Sequence, residues 1–311
     1  MARAGLIGTV TSDAILYDDG RFFRNVGGVL YQAAVFCGLG FETALFTNCG
    51  QGLRTEVEAL CGDWTSLRRE GLAYVPGPGN AVELRYSERA KEREEVLRSV
   101  VPPLDPSAAL GAAAGLDMLL LVFNSGFDIG LSDWRRVVGA VRCPVWVDVH
   151  SLALAKRTGA HRDYVSLPEW PEWVRGAAYL QANRQEVASI LGHPERWPDE
   201  SEYPPLFAAC FGLGLKAVFV TMGKEGVLVA TPAESRLVRA PAAAAVVDAT
   251  GCGDVFAAAA FARLASGASA FSAAADGAAL ASAAAGVAGV RQTYELAVRS
   301  RTSFDPRPEA D

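Results

Sequence analysis

The segment Asp248-Ala-Thr-Gly-Cys-Gly-Asp254 carries the most suggestive spacing of chemical groups in the chain. Gly251 and Gly253 flank Cys252, and an alanine-rich run, FAAAAFARLASG, follows and reads as a helix ending near Gly267. Backbone N–H groups in a glycine-rich turn at a helix N-terminus form a seat for an anion such as phosphate. Asp254 then sets a carboxylate beside a seat built for negative charge. Its plainest use is to complement the helix dipole and satisfy orphan donors, worth roughly 0.5–2 kcal/mol. Why a carboxylate should border an anion seat is a question for the rest of the chain.

Three further groupings lie at expected strand ends. Asn183-Arg-Gln-Glu186 follows the apolar run AYLQA and opens a helix. Asn followed three residues later by Glu is a capping box; equally, the two polar groups are oxygen ligands suited to magnesium-bound water or to phosphate. Thr221-Met-Gly-Lys-Glu-Gly226 joins the runs AVFVT and VLVAT, as a tight turn or as the glycine-exposed wall of a nucleotide site with Thr221 and Gly223. Asp13 follows the first apolar strand, and Asn25-Val-Gly27-Gly28 leads into a helix. A carboxylate beside a diglycine suits a polyol, and the same residues also make turns. The chain contains no GxxxxGK[ST] loop, and LIGTVTSD stands where a dinucleotide-binding GxGxxG would follow the first strand.

The elements that must position these groups alternate along the chain. Leu6 to Val10, Phe41 to Thr47, Met118 to Phe123, Val145 to Val149, Ala178 to Ala182 and Ala217 to Thr221 read as strands, and Gln32 to Leu39 reads as a helix ending at Gly38 or Gly40. Continuous apolar strands separated by helices predict a parallel sheet covered on both faces, with ligands at the carboxyl ends of its strands. Two segments differ. Ala14 to Arg24 has a hairpin signal at Asp19-Gly20, and Asn80 to Val101 begins by alternating Val82, Leu84 and Tyr86 with Glu83 and Arg85. Such half-wet strands belong to a small antiparallel layer projecting from the main sheet, as a lid would. The tail from Ser300 reads as loosely attached.

Composition narrows the class. The 311 residues are 50% hydrophobic and 21% charged, with a formal net charge of −6, and no basic stripe is present to track nucleic acid. Arginines from Arg85 to Arg98 are interleaved with glutamates. Six scattered cysteines without CxxC read as reduced thiols, and the three histidines match no metal-ligand spacing. The N-terminus MARAGLIGTV lacks a signal-peptide pattern, and the apolar C-terminal third is interrupted by Arg263, Ser266 and Asp276. A cytoplasmic protein with neither nucleic-acid nor membrane partners is expected.

Taken in order, the early Asp and Gly-Gly, the lid segment, Asn-x-x-Glu, Thr-x-Gly and Asp-x-Thr-Gly-x-Gly-Asp resemble the PfkB/ribokinase family of carbohydrate kinases over nearly the whole chain. The resemblance implies a single ribokinase-like α/β domain over residues 1–311: a doubly wound, mainly parallel sheet flanked by helices, with a small antiparallel β-lid at about 13–25 and 80–101. It also implies an ATP-dependent phosphotransferase acting on a hydroxyl of a small sugar or sugar-like alcohol. Asp254 would be the general base and Gly251, Cys252 and Gly253 the anion hole, so the carboxylate borders the anion because the nucleophile must. Asn183 and Glu186 would hold Mg2+ through water together with phosphate, while Thr221, Gly223, Thr250 and Ser282 would line the nucleotide site. Asp13, Gly27, Gly28 and Gln32 would contact the acceptor. A K+ site beside the loop would use Asp248 and Thr250, and lids of this family pair into homodimers.

Several acceptor-side positions depart from the family pattern. Gln32 and Ser282 stand where asparagines are common, Thr47 to Gly52 reads TNCGQG without the usual acidic pair, and His150-Ser151 replaces Asn-x-Arg. Two rivals follow: a nucleoside kinase using Phe22, Phe23, Phe123 and Phe127 around a base, and a catalytically silent ligand-binding relative.

Overall fold

The computed structural model describes residues 1–86, 94–243 and 245–304. The strands are β1 (Arg3–Ile7), β2 (Val10–Tyr17), β3 (Phe22–Gly28), β4 (Glu42–Gly50), β5 (Leu67–Val75), β6 (Asn80–Tyr86), β7 (Glu94–Ser99), β8 (Met118–Val122), β9 (Val145–Asp148), β10 (Tyr179–Asn183), β11 (Ala217–Thr221), β12 (Val227–Ala230) and β13 (Ser235–Val238). The helices are α1 (Leu30–Leu39), α2 (Arg54–Cys61), α3 (Ser107–Ala112), α4 (Leu131–Ala140), α5 (Trp170–Val174), α6 (Arg184–Leu191), α7 (Tyr203–Gly212), α8 (Cys252–Ala265), α9 (Ala270–Ala284) and α10 (Gly289–Phe304).

Nine strands form one sheet in the order β13-β12-β11-β10-β9-β8-β1-β4-β5. Strands β5 to β11 in this sheet run parallel, and only β12 and β13 join antiparallel. Why the apolar runs lack alternation is visible in β8. Met118, Leu120 and Val122 enter the core under α1, α8 and α9, while Leu119 and Leu121 enter the opposite core under α4, α5 and α7. Both faces of the sheet are covered, so every position of the strand is apolar. The alanines of α8 serve the same end. Ala257 to Ala260 are completely buried, letting the helix lie close to the sheet between α1 and α9. The stacked rings of Trp146 and Phe219, 4.7 Å apart, support it through Phe256 and Phe261.

The chain leaves β1 toward β4 on one side and returns through β8 on the other, so the order of strands reverses at the β1–β8 boundary. The carboxyl ends there open a crevice, the expected ligand position in a doubly wound sheet. Over it lies a four-stranded sheet in the order β3-β2-β6-β7. Its outer pairs are antiparallel and its central β2–β6 pair is parallel. Asp13, Ile15, Val82, Leu84, Glu95 and Leu97 point inward, and a small apolar core of Ile15, Val82, Leu84 and Leu97 holds the layer together.

Some boundaries differ from the sequence reading. The first strand ends at Ile7, and Val10 already belongs to the lid, because the chain bends at Gly8-Thr9 to leave the main sheet. Asp13 and Asn25 to Gly28 consequently lie within lid strands and not in turns. Helix α1 starts at Leu30 and continues through Gly38, ending at a left-handed Gly40. Ser300 to Phe304 continue α10, with Phe304 packed against the core, so this part of the tail is attached; 305–311 lie outside the described residues. The side chain of Tyr86 and most of the Arg85 to Arg98 charge cluster also fall outside them. No described helix is long and apolar enough to cross a membrane.

Candidate active site

Gly251 is the N-cap of α8 and adopts a left-handed φ of 79°, and a Cβ there would meet the Tyr31 ring at 2.7 Å. Only glycine lets the loop turn so sharply against α1. The turn starts α8 at the cleft, which Gly251 lines, and the Cys252 N–H donates to the Ala249 carbonyl at 3.3 Å. Burial pushes the Cys252 thiol up to about 12, reinforced by the neighbouring Asp248 and Asp254 carboxylates. At neutral pH the thiol is protonated and is no nucleophile.

Asp254 is the acidic residue in the first turn of α8. It is buried, lines the cleft and accepts a hydrogen bond of 2.5 Å from Gln32 Nε2. Gln32, expected among the acceptor contacts, is completely buried in α1, and its amide holds this carboxylate. Asp254 thus stands in the first turn of α8, where a carboxylate complements the helix dipole, and also lines the crevice.

The capping interpretation of Asn183 is realised. Its Oδ1 accepts from the Gln185 and Glu186 backbone N–H groups at 2.8 and 2.9 Å, and the Asn183 N–H donates to Glu186 Oε2 at 2.7 Å. The box fixes both side chains at the end of β10, beside Thr221 at the end of β11. Gly223 begins the exposed turn beyond β11 with φ of 58°, and Ser282 is half-buried on α9, the helix packed on β12 and β13.

Two polar residues hidden in apolar strands join this group. Gln181 of β10 pairs in register with Asp148 of β9, and its Nε2 donates to Asp148 Oδ2 at 3.0 Å and to the Gly253 carbonyl at 3.1 Å. Burial holds the Asp148 carboxyl well above the usual range, and the charges of Glu186 and Asp254 raise it further. Neither Asp148 nor Gln181 was singled out from the sequence. The signal was available: a lone polar residue in a strand buried on both faces needs a reason.

The lid closes the opposite wall. Asp13 is buried with Oδ2 against Gly27, where a Cβ would approach it to 2.8 Å, and Gly28, at φ of 63°, passes so close to the Thr9 carbonyl that a Cβ would meet it at 2.3 Å. Asp248 joins lid to loop, accepting from Tyr17 Oη at 3.1 Å, Asn25 Nδ2 at 3.3 Å and the Thr250 N–H at 2.9 Å. The cleft between lid and sheet brings together Asp13, Gly28, Thr250, Gly251 and Asp254 from the sequence reading and adds Glu95, Asn124 and His150. His150 carries the only positive φ of a described non-glycine residue, 38°, which turns its ring back onto the Phe123 carbonyl and the Ser151 N–H, at 3.1 and 2.8 Å from Nδ1. Of the phenylalanines expected around a nucleoside base, Phe123 is in the core and Phe22 is exposed on the lid's outer face, while Phe23 and Phe127 pack on the lid core. None of these four is among the residues lining the cleft.

Solved structures share this architecture. A pyrophosphate-dependent kinase in the ribokinase family, seen with sulfate, is 18% identical and superimposes with a TM-score of 0.76 over 94% of this chain and 99% of its own. Arabidopsis thaliana ribokinase with ribose and ATP is 19% identical, with a TM-score of 0.73 over 96% and 99%. Burkholderia thailandensis nucleoside kinase with inosine is 16% identical, with a TM-score of 0.73 over 99% and 100%. No curated protein gives a significant match. These structural likenesses establish the fold. The family profile described as pfkB family carbohydrate kinase matches residues 139–296, half of the chain, running from α4 through β9, β10 and the Gly251 loop into α10. The chain belongs to the pfkB family of carbohydrate kinases.

Proposed function

We propose that the protein transfers the γ-phosphoryl group of ATP to a hydroxyl of a small sugar or sugar-like alcohol. One observation carries this reading: Asp254 and Asp13 line the same lid-covered cleft in front of the α8 N-terminus. A transferring phosphoryl group needs fixed donors for its developing charge and a base within reach of the attacking hydroxyl. The backbone N–H groups of the Gly251–Gly253 turn meet the first need, with Cys252 turning away from Ala249 as it engages the anion. Asp254, oriented by Gln32, accepts the hydroxyl proton. Asp13 holds a second hydroxyl, and the lid excludes water.

Magnesium suits this set of residues, since the repulsion among Asp148, Glu186 and Asp254 is what a divalent cation offsets. No group of three or more His, Cys, Asp or Glu side chains forms a direct metal cage among the described residues, so Asn183 and Glu186 would act through water and phosphate. When bound, the ion neutralises phosphate charge. Thr221, Gly223, Thr250 and Ser282 flank the donor, and Asp248 with Thr250 borders a potassium site. The placement of Phe22, Phe23, Phe123 and Phe127 outside the cleft lining favours a sugar over a nucleoside.

The test is phosphoryl transfer measured with Mg-ATP and potassium over ketoses, aldoses, polyols and nucleosides. Pyrophosphate serves as the second donor, because one structural neighbour uses it. A responding sugar is expected, and Asp254→Asn, folded by circular dichroism, should lose roughly 10²–10⁴-fold in kcat. Near-normal turnover by that variant would refute the assignment of the base.

A further inference from the structure

The lid strand β7 brings a carboxylate to the cleft from within the run of interleaved arginines and glutamates between Arg85 and Arg98. Glu95 is 4% exposed and neighbours Leu84 on the inner face of the lid, lining the same cleft as Asp13 and Asp254. Behind it stands Arg162, from the loop after β9, with a fully buried side chain whose Nη1 lies 2.9 Å from Glu95 Oε1. The other guanidinium nitrogens are also engaged, Nε with the Ala155 carbonyl at 2.9 Å and Nη2 with the Ser151 carbonyl at 3.3 Å. The main chain repeats the attachment, since the Arg162 N–H donates to the Glu95 carbonyl at 2.9 Å and the Gly159 N–H to that of Leu97 at 2.8 Å. Arg162 lines a neighbouring cavity that shares Glu95 with the cleft, so it buttresses Glu95 from outside the cleft.

We infer that Glu95 is a specificity-determining residue which, held by Arg162, restricts the acceptor to polyols without phosphate or carboxylate groups. This rests on the kinase reading of the cleft and narrows its substrate class. Among the described residues the lining supplies three carboxylates, from Asp13, Glu95 and Asp254, and no lysine or arginine. Asn124, the imidazole of His150 and the hydroxyl-bearing Thr11, Tyr31 and Thr250 add the neutral polar part of the lining. Carboxylates accept hydrogen bonds from hydroxyls but repel an acceptor's own anion, and in a water-poor site that repulsion is strong. Arg162 cannot reverse the preference, because each of its nitrogens is already directed at Glu95 or a backbone carbonyl. Apolar Val82 and Leu84 cover the ring carbons of the bound polyol.

The experiment has a binding arm and a transfer arm. Calorimetry on wild type, Glu95→Gln and Asp254→Asn uses D-ribose, D-fructose and myo-inositol as neutral probes, with fructose 1-phosphate and fructose 6-phosphate as anionic ones. At least one neutral polyol should bind and be phosphorylated, with the phosphorylated sugars weaker by at least tenfold. The isosteric Glu95→Gln should weaken the neutral binder about tenfold in Kd and KM, with kcat kept within about threefold, as for loss of a charge-assisted hydrogen bond. Arg162→Lys, checked for folding, should do the same to a lesser degree. A phosphorylated sugar bound better than every neutral polyol, the lack of any neutral binder, or unchanged affinity in Glu95→Gln overturns the inference. Neutral binding weakened in Glu95→Gln without transfer from either donor would sink the kinase reading and leave this one standing.

Discussion

Gln32 and Asp254 meet across 222 residues of sequence, and their hydrogen bond separates the function of one side chain from that of the other. A carboxylate that must take a proton from a bound hydroxyl works only from a fixed position, so a residue holding it acts on turnover more than on binding. Gln32→Leu should therefore lower kcat by roughly ten- to a hundredfold while acceptor KM stays within about threefold, the pattern of an interaction made mainly in the transition state. Steady-state kinetics on the responding sugar checks this, and a rise in KM with unchanged kcat would return Gln32 to the acceptor contacts. The sequence made Gln32 visible as a departure from the family pattern but not its partner, because a contact between α1 and α8 depends on how the two helices cross. Glu95 was hidden for a different reason. In EEVLRS the charges look evenly spread, and only pairing with β6 reveals that Glu95 and Leu97 share the inner face.

At the scale of elements, the N-terminus of α8 distinguishes two glycines that look equivalent in the sequence. Gly251 needs its left-handed backbone and its space against Tyr31, whereas a Cβ on Gly253 would find only Gln181 Nε2 at 3.7 Å. Gly251→Ala should cost about 1–3 kcal/mol in backbone strain, with further loss from the ring clash. Gly253→Ala should keep or raise the melting temperature, since alanine is favoured over glycine in a helix by up to about 1 kcal/mol. It should nevertheless lose transfer, because the added methyl enters the anion seat. Thermal melts and kcat on both variants check the pair; equal destabilisation would show that Gly253 is structural. The central strands were legible because burial on both faces leaves only apolar residues, and α8 was legible because its alanines end at a left-handed Gly267. The lid's extent was less so, since Asp13 and Gly27 are as common in turns as in twisted, closely packed strands. The outer edge of β7 is occupied by Gly159, His161 and Arg162 of the same chain.

Only the complete fold assembles Asp148 from β9, Glu186 from α6 and Asp254 from α8, and their mutual repulsion is a property of the whole molecule. Asp148 has its carboxyl raised on folding, first by burial and then by Glu186 and Asp254. The sign follows from linkage: such a group contributes stability that is present below its unfolded value of 3.8 and is lost as pH rises through its folded value. At neutral pH the metal-free protein has therefore lost stability that it holds in acid, where Asp148 is protonated in both states. Asp148→Asn avoids that loss and can retain the acceptor oxygen for Gln181. The variant should melt a few degrees higher than wild type at pH 7 without magnesium, since one pKa unit is about 1.4 kcal/mol and each kcal/mol moves Tm by roughly 2–4 °C in domains of this size class. The difference should shrink as the pH is lowered toward 4, where wild-type Asp148 is protonated. Magnesium should raise the melting temperature of wild type more than that of the variant, because part of the ion's stabilisation is relief of this repulsion. Scanning calorimetry over pH, with and without the ion, reads all three effects. A variant that melts lower at pH 7 would mean that Asp148 is ionised and satisfied by contacts within the fold, and the magnesium assignment would lose its physical basis.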